Sequence, residues 1–181
     1  LQIDGSQIII NDFTGNKLTL LDANPSSGEI NYLSIPSPVD NSVTADFAVD
    51  ANDNIWFTNW LFQQGGVLVK FNQNGYLDLA ANSGEQFLPL LDFVQVYQVP
   101  PELLTPNGAV VTDDGTIWLA DTTSSFFFSF DPFTEQFTQY VTADPQLSTY
   151  GNQTGVVNYP ISRPYWIEAD LQGRLVFNEQ T

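Results

Sequence analysis

The sequence holds no cysteine, no histidine and no methionine, and only four basic residues among its 181: Lys17, Lys70, Arg163 and Arg174. Each absence excludes a class of chemistry. Without cysteine there are no disulfides, no thiolate nucleophiles and no zinc–cysteine sites. Without histidine the usual general base and the commonest transition-metal ligand are gone. Against the four cations stand 21 acidic residues, a net charge of −17. Such a chain repels phosphate backbones, so nucleic acid is not expected as a partner. Anionic membrane surfaces are disfavoured on the same ground, and no apolar run is long enough to span a bilayer. Cations, metals and basic partners stay open, while the plain reading of the acidity is a solubilising surface. The first residue is Leu1 rather than methionine, so a processed product or a segment of a longer protein is expected. The scarcity of lysine, the missing cysteine and the Asn152-Gln153-Thr154 sequon point to an extracellular or cell-surface glycoprotein.

What is present is apolar and periodic. Hydrophobic residues make up 43% of the chain and aromatics 14%, enough for one domain with a packed core. The phrase DANDNIWFTNW (Asp50–Trp60) returns as TDDGTIWLADT (Thr112–Thr122) and, altered, as ADLQGRLVFNEQ (Ala169–Gln180). Gln7–Asp12, Asn54–Asn59, Thr116–Asp121 and Arg174–Glu179 align without gaps; starting at residues 7, 54, 116 and 174, they lie 47, 62 and 58 residues apart. Each is short and rich in β-branched or aromatic residues, which reads as a strand. Each follows a turn of Asn, Asp or Gly, residues that tolerate positive φ. Partner strands precede the turns at Phe47–Asp50, Ala109–Thr112 and Trp166–Asp170.

A second hairpin follows in each complete unit. Its strands are Lys17–Leu21, Val67–Phe71 and Phe126–Phe130, then Glu29–Leu33, Phe93–Val99 and Gln136–Val141. An insertion near Leu77 to Asp92 reads as a loop. No helical periodicity is evident, although Pro100–Leu104 suits one turn. The fold class predicted is all-β: four-stranded antiparallel units of the kind that make β-propeller blades. The unit boundaries expected are approximately 1–44, 45–105, 106–163 and an incomplete 164–181. A blade cannot bury both faces alone, so Trp56 and Trp118 are expected to fill the space between blades. The aromatic run Ser124–Phe130 is expected in the same role. The apolar stretch Phe87–Phe93 is expected to dock on a partner or on its own blade edge.

The phrases DFAVDANDNIWFTNW, NGAVVTDDGTIWLADT and RPYWIEADLQGRLVFNE resemble the repeat of the virginiamycin B lyase (streptogramin lyase) family, whose wider relatives are the NHL and gluconolactonase-like propellers. FDPFTEQFTQY (Phe130–Tyr140) and LDANPSSGEINYL (Leu21–Leu33) fit the second half of that repeat. The resemblance covers essentially the whole chain. It implies about three and a half blades of a larger, six- or seven-bladed propeller, completed by further chain, a second polypeptide or self-association.

In such a hairpin, the start of the first strand and the end of the second share one end of the propeller. The second-strand ends carry Asp12, Asn59, Asp121 and Glu179; the first-strand starts carry Ala45, Asn107 and Tyr165. Asp46 and Trp166 come one residue later, where the family usually has glycine. Asp12, Asn59, Asn107, Asp121 and Glu179 are the metal-ligand candidates, for Ca²⁺ or Mg²⁺. Glu179, Asp121 and Tyr165 are the catalytic candidates. The lyases use histidine at the first-strand position with a nearby glutamate and Mg²⁺; Glu179 matches the glutamate, but the histidine positions hold Ala45, Asn107 and Tyr165. Lyase chemistry within these residues is therefore disfavoured. The function expected is binding or structural, through a protein partner or the rest of the propeller. The alternative is a metal-dependent lyase or lactonase-like enzyme completed by residues elsewhere. Asp50–Asn54 has a superficial likeness to a calcium loop, but lacks the spacing, and reads as a β-turn.

Overall fold

The structure, a computed structural model, describes residues 2–4, 7–22, 32–83, 90–142 and 163–180. They form a partial β-propeller. The first sheet contains β1 (Gln2–Asp4), β2 (Gln7–Asp12), β3 (Lys17–Asp22) and β4 (Tyr32–Pro36). The second contains β5 (Val43–Val49), β6 (Ile55–Leu61), β7 (Gly65–Phe71) and β8 (Val94–Gln98). The third contains β9 (Pro106–Val111), β10 (Ile117–Asp121), β11 (Phe126–Asp131) and β12 (Gln136–Val141). The fourth pairs β13 (Arg163–Ala169) with β14 (Leu175–Gln180). Within each sheet every strand lies beside its sequence neighbours, and all pairings are antiparallel.

The recurring phrase has a physical reason. Its turn needs one left-handed residue at a fixed place: Asp53 (φ 60°), Gly115 (φ 84°) and Gly173 (φ 73°) fill it. Asp50 then clamps its turn. Its Oδ1 accepts from the backbone N–H of Asn52 and Asn54, and its Oδ2 accepts from Trp56 Nε1 at 2.8 Å. Asp170 repeats the clamp on Gln172 and Arg174, with Arg174 Nε at 2.6 Å. In the third sheet Thr112 Oγ1 takes the indole N–H of Trp118 at 3.3 Å, and Asp114 closes the turn on Thr116 N–H. The Asp50–Asn54 segment is thus a β-turn whose carboxylate is occupied by amides and an indole.

Strand alternation builds the packing between sheets. On β6, Ile55 and Phe57 enter the core shared with Ile9, Leu18 and Ile35 of the first sheet. Trp56 points the other way and joins Leu119, Phe128 and Phe130 of the third. Both faces of β6 are covered, so Ile55 to Trp60 are all buried. A smaller core of Val110, Ala120 and Ile167 joins the third sheet to the fourth, with Trp118 packed against it. Phe126–Phe130 lies between sheets as expected. Polar bonds also cross: Asn11 Nδ2 donates to Ala45 O, and Thr58 Oγ1 donates to Pro106 O at 2.7 Å.

Two sequence expectations need correction. The insertion is not a loop throughout. A helix, α1 (Gln73–Ser83), follows β7, and a 3₁₀ turn spans Leu90–Phe93. Asn74-Gly75 has the look of a hairpin turn, but Asn72 Oδ1 accepts the Gly75 N–H at 3.0 Å and caps a helix there instead. Tyr76 anchors α1 by packing against Phe71 and Phe93. The outer strand of the first sheet is observed at Tyr32–Pro36 rather than ending at Leu33. Leu103 N–H donates to Pro100 O, the single turn expected there. No described helix is long and apolar enough to cross a membrane. Asn152 and Phe87–Pro89 lie outside the described residues.

Candidate functional site

Asp12, Asn59 and Asp121 each bond within their own part of the fold. Asp12 Oδ1 accepts from Gly15 N–H at 2.8 Å and serves its own turn. Asn59 is fully buried; its Nδ2 donates to Thr44 Oγ1 at 2.8 Å, beside Ser42 and Asn16. Its Oδ1 has no partner among the described residues. Asp121 is fully buried and accepts five hydrogen bonds: from the N–H of Leu104, Thr105 and Thr123, and from the hydroxyls of Thr123 and Ser124. It ties the β10–β11 turn to the crossover from β8 to β9. Asn107 is half-buried on β9, Tyr165 sits at the accessible start of β13, and Glu179 lies opposite Pro164 in the β13–β14 pairing.

Asp12 and Asp121 use carboxylate oxygens within their own loops. Ca²⁺ and Mg²⁺ need carboxylate lone pairs free to face them. Both Asp121 oxygens already face donors, and Asp12 faces an amide. Among the described residues no three acidic side chains are grouped to hold a metal.

The inner strands instead form a cleft of about 330 Å³ around Asp46, Trp166 and Glu168, walled by Ala48, Val49, Val110 and Val111. Both hairpins slip register at this level, between Thr44 and Phe47 and between Pro164 and Ile167. Gly108 holds the equivalent place on β9, where a Cβ would come within 2.7 Å of Tyr165 O. Asp46 Oδ1 accepts from Phe47 N–H at 2.9 Å and its Oδ2 from Ala109 N–H at 3.2 Å, joining the second sheet to the third. Trp166 is 50% exposed, and its Nε1 donates to Glu168 Oε1 at 3.0 Å. Burial raises the Asp46 pKa to about 6; the two amide bonds oppose the rise and the charge of Glu168 adds to it.

That shift predicts a pH signature. The folded state holds the Asp46 proton more tightly than the unfolded chain, whose value is 3.8. The resulting stability is fully present below pH 3.8 and is lost as pH rises through about 6. The loss is about 2–3 kcal/mol, reduced somewhat by the partial exposure. Asp46→Asn removes the titration. Denaturant unfolding of both proteins at pH 4 and pH 7.5 checks it: the variant should gain about 2–3 kcal/mol relative to the parent between the two. A difference independent of pH would contradict the assignment.

Sheet order, blade register and packing define a propeller of four-stranded blades. Solved structures agree. Virginiamycin B lyase from Staphylococcus aureus, in selenomethionine-substituted form, superposes with TM-score 0.63 at 16% identity over 99% of this chain and 47% of that one. A catalytically inactive variant of the same lyase with quinupristin gives the same figures. A streptogramin B lyase matches at TM-score 0.63 and 16% identity, with 61% of its length covered. A luciferin-regenerating enzyme matches at TM-score 0.55 and 12% identity, over 98% of this chain and 52% of that one. The chain spans about half the length of the S. aureus lyase. Neither a protein-family model nor a curated protein matches it. The likeness is one of fold.

The sequence reading placed Asp46 and Trp166 at unusual positions but did not pair Asp46 with Glu168. The available signal was Asp46 itself, the one charged residue on the inner strand β5.

Proposed function

We propose that this chain is a propeller segment of an extracellular or cell-surface protein, with a binding and scaffolding role exerted on a protein partner or on the rest of the same propeller. The observation that carries this reading is Asp121. The carboxylate at the position best suited to axial chemistry is fully buried and saturated by five donors from its own loops. It organises the scaffold instead of facing a reactant. A glycan on Asn152 would suit an extracellular setting.

The alternative is a lyase or lactonase-like enzyme that uses Mg²⁺. The structural likeness to the streptogramin lyases favours it, and Glu179 is its residue here. Quinupristin, present in one of those lyase structures, is the test substrate. The protein isolated undenatured from its natural source is sized by native mass spectrometry and incubated with quinupristin and Mg²⁺, with the mixture resolved by chromatography. An assembly or longer chain without conversion is expected. Mg²⁺-dependent conversion lost in Glu179→Gln would overturn the binding reading.

A further inference from the structure

We infer that a second cleft, formed by Phe62, Gln63, Thr122, Thr123, Arg163 and Tyr165, binds the carboxylate of a small organic acid with an aromatic or aliphatic body. The cleft measures about 320 Å³, at the lower end for small-molecule sites. Three parts of the chain more than 35 residues apart build it: the turn after β6, the turn after β10 and the first residues of β13.

Arg163 carries the inference. Of the other three cations, Lys70 lies over the Trp56 ring at 5.4 Å, Arg174 is paired with Asp170, and Lys17 sits in the β2–β3 pairing away from this cleft. The Arg163 side chain has no ion pair and no hydrogen bond among the described residues, in a chain with 21 acidic residues. The carboxylate on the adjoining turn, Asp121, points into its own loop and is saturated. Arg163 therefore lines the cleft with no partner for its guanidinium fork among the described residues.

The surroundings select what the fork takes. Arginine is donor-only, and its planar pair of N–H groups matches a carboxylate. The side chains of Gln63, Thr122 and Tyr165 likewise have no partner among the described residues, so an amide and two hydroxyls stand ready to donate to the same anion. Phe62 is 62% exposed and Tyr165 36%, and these rings give the ligand body an apolar wall. A bare inorganic anion would meet the guanidinium but leave the rings uncovered. A cation would meet Arg163 itself. The chemistry that uses both parts is a carboxylate joined to an apolar group.

The probe is 3-phenylpropionate, titrated calorimetrically into the protein, with the neutral isostere 3-phenylpropanamide and with sulfate as comparisons. Binding near about 1 mM or tighter is expected for the acid, with none for the amide or sulfate. Arg163→Gln should weaken the acid about tenfold or more, and Arg163→Lys should fall between, since it keeps the charge and loses the fork. Phe62→Ala should also weaken it. Arg163 and Phe62 are both exposed, so circular dichroism should show every variant folded. No binding of the acid at about 10 mM, equal binding of the amide, or an unchanged Arg163→Gln affinity each overturns the inference. None of these results bears on the scaffolding role, which rests on Asp121.

Discussion

Asp121→Ala should destabilise the fold by about 3–5 kcal/mol. The side chain is fully buried and its two oxygens take five hydrogen bonds. Removing it strands the N–H groups of Leu104, Thr105 and Thr123 where no other acceptor replaces it. Each orphaned buried donor costs about 1–3 kcal/mol. Small domains carry about 5–15 kcal/mol in total, so this loss is a large share. Asp121→Asn keeps the shape and one acceptor but turns an amide N–H₂ toward Leu104 N–H. It should cost about 2 kcal/mol, less than alanine. Denaturant unfolding measures both, and the same experiment separates scaffold from metal ligand. If Asp121 held Mg²⁺ or Ca²⁺, millimolar ion would raise the parent's midpoint and leave the alanine variant unmoved. The geometry predicts no ion-dependent difference between them.

Asp121 also shows where sequence reading stopped. Register placed Asp12, Asn59 and Asp121 at equivalent strand ends; β2 does end at Asp12 and β10 at Asp121, while β6 runs past Asn59 to Leu61. What each side chain bonds depends on the length of the turn behind it. Asp12 closes on Gly15, Asn59 reaches back to Thr44, and Asp121 gathers a crossover loop. No spacing rule contains that information. The strands themselves were legible, because the alternation on β6 or β10 leaves one way to bury both faces. The helix α1 was not. Asn74, Gly75, Asp78 and Asn82 are weak helix formers, and its stability comes from the Asn72 cap and from Tyr76 packing on Phe71 and Phe93. The Asp46–Glu168 cleft and the Arg163 cleft were invisible for a third reason: each joins residues from different blades, and only the propeller's closure angle brings them together.

Trp56→Ala should cost about 3–5 kcal/mol, and the same truncation in the next blades should cost progressively less. Trp56 is 1% exposed, between the second and third sheets. Its ring stacks on Tyr97 and tilts against Phe130, both at 5.9 Å between centroids. Aromatic pairs add to the area term. Its indole N–H also satisfies Asp50. Burial pushes the Asp50 pKa up, but the bonds from Trp56, Asn54 and two amides outweigh it and leave the carboxyl below its ordinary value. Losing the indole removes part of that stabilisation of the charged form, so alanine should also diminish the stability that Asp50 lends above the unfolded-chain value of 3.8. Trp56→Phe keeps most of the volume and loses the hydrogen bond, for about 1–2 kcal/mol. Trp118 occupies the same register one blade on. It is only half-buried, borders the small core of Val110, Ala120 and Ile167, and makes a longer bond to Thr112. Trp118→Ala should cost about 1–3 kcal/mol. Val176, at the same place on β14, is 56% exposed, and Val176→Ala should stay within about 0.5 kcal/mol. Unfolding midpoints for the three variants give the order directly. Equal losses at Trp56 and Trp118 would mean the interface between the third and fourth sheets is as well filled as the one before it, contrary to the packing described. The expected gradient follows from one phrase repeated in three blades whose neighbours differ. The residue sets what can be buried, and the adjoining sheet sets how much of it is.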